Sequence, residues 1–406
     1  MTRRPTVLFV HYTFPGIVGG VETVIGHHAV GLARQADVRL VAGRGAVGVR
    51  GVKAVRIRLL DSLHPRIVAA TRAALDGRAD SGFGDLRREI GAALRPLFAG
   101  ADRVILHNVA TMNLNLPLVA ALHDLSPALP VGRLVVWVHD LALVGPDDGG
   151  TEAPGDPRRL LSRPLPGARY VAVSEERRRA TAAALGLASE AIRVVPNGVD
   201  VAGVLRLRRS SVALIDRLGL AAAEPLLVLP ARLVRRKRIE LAIEAARILR
   251  DRGHEARLVV TGGADPHDPD GVDYLRELRA SVIAAGARDV LLVDEIGHSA
   301  DERLVADLYA IADALILPSA SEGFGLPMLE AAVARLPIVC TDLPVLREVV
   351  GAVARFVPLD GDASAFADAV EGAIEGSQVA RLAGQVRRAS DWRTIVTEHV
   401  LPVILG

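Results

Sequence analysis

Short runs of β-branched and aliphatic residues recur along the first half of the chain, at residues 7–10, 38–42, 52–57, 103–106, 134–138, 170–173 and 192–195. The longer intervals between them are of helical length. This alternation predicts a mainly parallel, doubly wound sheet. A second series begins at residues 226–229 and continues at 258–260, 290–293, 314–317, 338–340 and 355–357, which predicts a second α/β half. Helical spacing marks residues 23–34, 239–249, 363–374, 379–386 and 392–404. Between the two series, Pro196-Asn197-Gly198-Val199-Asp200 is a cluster of turn residues, and residues 219–225 read as the last spacer before the second sheet. The pattern therefore describes an α/β protein of two Rossmann-like doubly wound domains. The first spans 1–200 and the second 201–390, with a hinge between 197 and 222 and a terminal helix over 391–406.

Composition narrows the function classes. At 406 residues the chain exceeds what a single hydrophobic core usually supports, and half of its residues are apolar, enough for two cores. Lys and Arg exceed Asp and Glu by only two, and the arginines are scattered rather than gathered into a tract with interleaved aromatics. Nucleic acid is therefore not expected as a partner. The single Cys340 lies in an apolar strand and reads as core packing. The apolar run after the basic Met1-Thr2-Arg3-Arg4 is too short for a signal peptide or membrane span, which predicts a cytoplasmic protein. Contact with a membrane surface stays open, as does the choice between monomer and homodimer.

The most informative segment is Ser321-Glu322-Gly323-Phe324-Gly325-Leu326-Pro327-Met328-Leu329-Glu330, at the end of a predicted strand. Gly323 and Gly325 let backbone N–H groups approach a ligand, and Pro327 suits the first turn of a helix whose free N–H groups attract phosphate. Glu322 falls in the loop and Glu330 about one turn into the helix. A phosphate at a helix start beside a carboxylate that accepts from sugar hydroxyls is the geometry a nucleotide-sugar needs.

Other motifs point to the same crevice. After the first strand, Gly19 and Gly20 precede a helix and let the main chain approach a substrate or diphosphate. Two strands end in Leu106-His107-Asn108 and Val138-His139-Asp140, which places both histidines where ligands bind in an open α/β sheet. Neither has the spacing of a zinc site. The second half opens with Arg232-Leu233-Val234-Arg235-Arg236-Lys237-Arg238, and cations at a strand's carboxyl end suit a departing diphosphate. Arg235, Arg236 and Arg238 read as a solvated basic turn. Gly262 and Gly263 form another strand-to-glycine turn that could line the nucleotide. Asp268-Pro269-Asp270 matches a metal-binding D-x-D pattern, but in a Pro/Gly/Asp loop it reads as a chance match.

Taken together these motifs resemble the retaining, nucleotide-sugar-dependent glycosyltransferases of family four, or glycosyl transferases group 1, whose architecture is called GT-B and whose signature is E-x7-E. The resemblance covers nearly the whole chain. It implies two facing Rossmann-like domains, the final helix crossing back to the first. It also implies transfer of a hexosyl group from an NDP-sugar to a hydroxyl acceptor, with no cofactor and no metal. Arg232 and Lys237 coincide with the family's diphosphate-holding pair, Glu330 with its ribose carboxylate, and Glu322 with the carboxylate near the transferred sugar. His139 coincides with a histidine beside the reacting sugar. Gly19, Gly20, Gly262, Gly263, Gly323, Phe324, Gly325 and Leu326 join the donor-binding positions, and His107, Asn108 and Asn197 the acceptor-binding ones. Residues 293–298 occupy the place where the family's main chain meets the base. Ala231 and Arg238 stand where the family usually has Gly, so donor choice is less constrained. GDP-mannose or a UDP-hexose is favoured as donor. A GT-B phosphorylase, a sugar-nucleotide epimerase or a non-catalytic nucleotide-sugar-binding subunit are the alternatives. A dinucleotide oxidoreductase is weaker, because no G-x-G-x-x-G follows the first strand.

Overall fold

A computed structural model describes residues 3–78, 81–142, 157–263, 271–284, 290–292 and 301–406. The chain divides into two compact units, Met1–Gly198 with Trp392–Gly406, and Val199–Asp391.

The first unit is built on a seven-stranded parallel sheet of order β3-β2-β1-β4-β5-β6-β7. Its strands are β1 (Thr6–Val10), β2 (Asp37–Ala42), β3 (Lys53–Arg56), β4 (Arg103–His107), β5 (Leu134–Val138), β6 (Arg169–Ala172) and β7 (Ile192–Val194). The central strands β1 and β5 are buried along their whole length, as expected for a sheet covered by helices on both faces. At the edge, β3 is mostly exposed and one residue shorter at each end than the predicted run 52–57. The order reverses beside β1: Val10 pairs with Val41 on one side and with Leu106 on the other. Such a switch point opens a crevice at the carboxyl ends of β1 and β4.

The second unit repeats the scheme with six parallel strands of order β10-β9-β8-β11-β12-β13. They are β8 (Leu226–Leu229), β9 (Arg257–Val260), β10 (Val290–Leu292), β11 (Ala314–Leu317), β12 (Ile338–Thr341) and β13 (Arg355–Val357). The switch point lies between β8 and β11, which are hydrogen-bonded neighbours. Cys340 is free and fully buried on β12.

Two features tie the ends of these units. Inside the second unit, Val199 N donates to Ser390 O at 2.8 Å and Val199 bridges Asp391, so the segment begins and ends at one place. Nearby, Arg387 is buried and donates to Asp313 Oδ2 at 2.6 Å, to Leu220 O and Ala221 O at 2.9 Å, and to Ala223 O at 3.0 Å. Asp313 also accepts from Leu226 N at 2.7 Å. A buried ion pair is tolerated only when its remaining hydrogen-bonding capacity is filled in this way. The terminal segment then packs on the first unit: Trp392, Ile395, Val396, Val400, Val403 and Ile404 join Val7, Phe9, Val24 and Ile25 in one apolar cluster. It is not the uniform helix its periodicity predicts. Trp392–Ile395 and Leu401–Ile404 are α-helical, while Val396–Val400 is a π turn. Pro402 has no N–H to donate, which interrupts the α ladder at this point.

No helix among the described residues is long and apolar enough to cross a membrane.

Candidate functional site

In the second unit the loops following β8 and β11 are laced together. Lys237, in the short 3-10 helix Arg235–Lys237, is buried, and its Nζ lies 2.5 Å from Glu322 Oε1. Glu322 also accepts from Ser319 Oγ at 2.6 Å, and Arg236 Nη1 stands 3.7 Å from Glu322 Oε2. The main chain reinforces the link, since Ala320 N donates to Arg236 O at 2.7 Å and Arg236 donates to Ser321 O at 3.1 Å. The Glu322 carboxylate accepts from several donors and so fixes the Lys237 ammonium beside it. Lys237 and Glu322, 85 residues apart, thus form one charged centre.

Glu330 is positioned by the helix Leu326–Val333, which begins at Gly325 with φ 94°. A side chain there would be strained, and a Cβ would come within 2.6 Å of Leu346 Cδ2. Tyr309 OH donates to Glu330 Oε2 at 2.9 Å, with Pro327 O at 3.1 Å as its other acceptor. Burial, then the Glu330 carboxylate, push the Tyr309 phenol upward, so it remains a donor. Next to this pair is a cavity of about 1030 Å³ whose wall includes Arg232, Thr261, Gly262, Tyr309, Leu326 and Glu330. Gly262 belongs there for a steric reason: a Cβ would sit 1.9 Å from Ala231 O. Gly263 O accepts from Leu233 N at 3.0 Å and closes the turn. Lys237 and Glu322 are not part of that wall, so the predicted donor residues fall into a cavity group and a charged-centre group. Gly323 has open space around it, and Phe324 and Leu326 are exposed.

The neighbouring Arg235 and Arg236 are exposed, as a solvated basic turn implies, and each is also paired. Arg235 pairs with Glu277 through two contacts of 2.8 and 2.7 Å and lies over the Tyr274 ring. Arg238, at φ 48°, donates to Leu359 O at 2.7 Å and Gly361 O at 3.2 Å. Arg236 is the exception that touches the charged centre, through Glu322 and Ser321. The left-handed backbone at Arg238 explains why a glycine would suit this position.

In the first unit the groups at the ends of β1, β4 and β5 form a buried histidine chain. His11 Nδ1 donates to His107 O at 2.8 Å, which fixes a proton on that nitrogen because a carbonyl only accepts. His107 Nδ1 lies 3.0 Å from His139 Nε2, and the two rings stack. His107 also stacks on Trp137, while His28 meets both Trp137 and Trp392 edge-on. Burial, with lesser contributions from His11, depresses His139 to about 4. Burial also takes His28 to about 3 and His107 well below its ordinary value. These three rings are therefore neutral at pH 7. Both His28 nitrogens and His107 Nε2 are buried without a hydrogen-bond partner.

Two residues expected to contact an acceptor are turned inward. His107 is fully buried, and Asn108, at φ 61°, spends its Oδ1 on His139 N at 2.8 Å and Asp140 N at 3.0 Å. Their side chains hold the β5 loop in place: a strand-end position indicates the crevice but not whether the side chain faces it. His139 is also nearly buried, with its Nε2 engaged by His107. Asn197 is exposed in the segment that closes this unit. Gly19 is extended and caps the helix Gly20–Leu32, which starts three residues earlier than predicted, and Gly20 has open space beside it.

Sequence reasoning missed Glu22, Ser319 and Tyr309. Glu22 was legible as an acid in the first turn of a helix, whereas nothing local marks Tyr309 as the partner of Glu330. Among the described residues no group of three His, Cys, Asp or Glu could hold a metal ion. Residues 268–270 and 293–298 lie outside the described residues.

Two parallel α/β units, each with its polar groups at the carboxyl ends of the strands, define the GT-B class. Sequence profiles agree: glycosyl transferases group 1 matches residues 213–388 and glycosyltransferase family 4 matches residues 18–202. The chain belongs to this family of glycosyltransferases. Among curated relatives it is 37% identical over 206 residues to the D-inositol 3-phosphate glycosyltransferase of Xylanimonas cellulosilytica, covering 49% of this chain and 47% of that one. It is 34% identical over 94 residues to the O-antigen chain mannosyltransferase RfbU of Salmonella typhimurium, covering 23% and 25%. The chain thus spans about half or less of the length of these relatives. Among solved structures, Anabaena HepE in complex with UDP and glucose is matched at 17% identity over 99% of this chain and 100% of that one, with a TM-score of 0.37.

Proposed function

We propose that this chain is a retaining glycosyltransferase that moves a hexosyl group from an NDP-sugar to a hydroxyl acceptor without a metal ion. The observation that carries this reading is the cavity in which Arg232, Gly262 and Glu330 meet. A guanidinium suits a diphosphate, a glycine that admits no side chain suits close main-chain approach, and a carboxylate held by a phenol suits ribose hydroxyls. Lys237, fixed by Glu322, adds a second cation for the charge that gathers on the leaving diphosphate. The neutral imidazole of His139 would lie on the acceptor side. Retention is read as front-face substitution, in which the leaving phosphate takes the acceptor's proton; Glu22, a described acid near the first unit's crevice, is engaged by Thr13. A mannosyl donor is favoured by the relative named as a mannosyltransferase.

A thermal-shift panel of GDP, UDP, ADP and TDP with their sugars tests the reading. A nucleotide at 100 times its Kd should stabilise the protein by about 2.7 kcal/mol. Failure of every nucleotide to shift the transition would overturn it. Nuclear magnetic resonance of the transferred sugar then reads the anomeric outcome, and transfer that disappears in EDTA and returns with Mn²⁺ would refute the metal-independent mechanism.

A further inference from the structure

The buried histidine chain at the ends of β4 and β5 leaves one proton to be placed. His107 Nδ1 and His139 Nε2 lie 3.0 Å apart, so one neutral ring donates an N–H to the other. Both residues are held firmly. His107 is fully buried, with the rings of Phe9, Trp137 and His28 around it. His139 is fixed at its amide, which donates to Asn108 Oδ1 at 2.8 Å. The other nitrogen of His107, Nε2, is buried without a hydrogen-bond partner, and so are three polar atoms on the rings beside it, Trp137 Nε1 and both nitrogens of His28. The His28 ring centroid stands 4.8 Å from that of Trp137 and 5.7 Å from that of His107.

These unpaired atoms decide between the two tautomers. An indole N–H only donates, and a neutral His28 carries one donor and one acceptor whichever nitrogen holds its proton. If His107 Nε2 were protonated, the cluster would bury three unpaired donors against one acceptor; with Nε2 bare it balances at two and two. Orphaned buried N–H groups are rare and costly, so the balanced arrangement is favoured. The His107 proton then sits on Nδ1 and is donated to His139 Nε2, and the proton of His139 is left on its own Nδ1. We propose that His107 is a positioning residue: by donating to His139 Nε2 it holds His139 as the Nδ1–H tautomer, a hydrogen-bond donor toward a sugar or acceptor hydroxyl and not a base. This agrees with a reaction in which the leaving phosphate, and not an imidazole, takes the acceptor's proton. The donor role rests on reading His139 as a substrate-side group; the tautomer rests on the buried cluster alone.

Ring-nitrogen magnetic resonance of the full-length, histidine-labelled protein near pH 7.5 tests this directly, because a protonated and a bare imidazole nitrogen resonate far apart. In wild type His139 should show a protonated Nδ1 and a bare Nε2. His107→Phe removes the donor and should convert His139 wholly or partly to the Nε2–H form that free imidazole side chains prefer in water, whereas His107→Gln, whose amide can still donate, should keep Nδ1–H. A merely structural role for His107 would not move this signature. An Nε2–H tautomer in wild type, or an unchanged Nδ1–H in a folded His107→Phe protein, would overturn the proposal; the wild-type spectrum decides by itself if that variant does not fold. Adding whichever nucleotide-sugar stabilises the protein should leave His139 Nδ1 protonated, and its conversion to the bare form would refute the donor role. Thermal shift on the same samples reports nucleotide binding by the second unit, so a failure of the glycosyltransferase reading is seen separately from a failure at His107.

Discussion

The two units carry the same sheet architecture and use their polar residues in opposite ways. At the mouth of the second sheet, Arg232 and Glu330 line a cavity of about 1030 Å³. At the mouth of the first, His107, Asn108 and His139 are buried and bonded chiefly to one another and to the main chain. The difference follows from chemistry. A guanidinium and a carboxylate on a cavity wall can meet a charged ligand, whereas neutral imidazoles tolerate burial and can set a loop without attracting counter-ions. One fold therefore offers an ionic cavity wall in one unit and a buried histidine scaffold in the other.

Removing a cation of the second unit should have the largest effect. Lys237→Ala or Arg232→Ala should lower kcat by about 10² to 10³, the usual scale for one preorganised electrostatic group. Arg235→Ala should change kcat little, since Arg235 faces Glu277 and Tyr274. Arg236→Ala should fall between them because it touches Glu322. Steady-state kinetics on folded variants ranks the four, and an Arg235→Ala loss equal to that of Lys237→Ala would break the distinction between the charged centre and its surroundings.

The two glutamates should separate next. Glu330→Gln should weaken both NDP and NDP-sugar by roughly 1.5 to 3 kcal/mol, and Tyr309→Phe by about 0.5 to 1.5 kcal/mol, by loss of charge-assisted and neutral hydrogen bonds respectively. Glu322→Gln should spare NDP affinity and lower turnover, because Glu322 holds Lys237 and lies outside the cavity wall. Calorimetric titration with NDP distinguishes the outcomes, and equal losses in both glutamate variants would contradict the division.

In the first unit the corresponding effects should fall on stability. Asn108→Ala leaves the amides of His139 and Asp140 without their acceptor and should cost about 1 to 3 kcal/mol in denaturant unfolding, with NDP affinity unchanged. If NDP affinity fell instead, the contrast between an ionic and a scaffolding site would be wrong.

The smallest expected effect is on pH dependence. His139 and His28 have folded values near 4 and 3 against 6.5 for a free histidine. Between those limits the unfolded chain binds more protons than the folded one, so their contribution is complete above pH 6.5 and is lost progressively as the pH falls toward 4 and then 3. Glu22, near 2 when folded against 4.5, adds a further loss in the same direction below pH 4.5. Replacing His28 with Phe should flatten the decline between pH 6.5 and 4, as measured by urea midpoints across that range.

The strands were the most legible part of the sequence. Every predicted apolar run coincides with a strand within about two residues, because a buried parallel strand needs a short aliphatic stretch that a surface element does not. The signature from Glu322 to Glu330 was equally clear, since its glycines and proline dictate a turn into a helix. What could not be read locally were pairings across the fold. Lys237 with Glu322 and Tyr309 with Glu330 depend on which strands become neighbours. The inward orientation of His107 and Asn108 depends on packing around Trp137. A strand-end polar residue has two ways to face, and periodicity does not choose between them.

The close approach of Val199 to Ser390 and Asp391 makes the second unit an insertion into the first. On a ribosome, all of the inserted unit leaves the exit tunnel before the residues that complete its host. Until Trp392 through Ile404 are synthesised, the apolar surface formed by Val7, Phe9, Val24 and Ile25 lacks its cover. The order of maturation is thus the reverse of the order of the sheets along the chain: the inserted unit can finish first, and its host waits for Trp392 through Ile404.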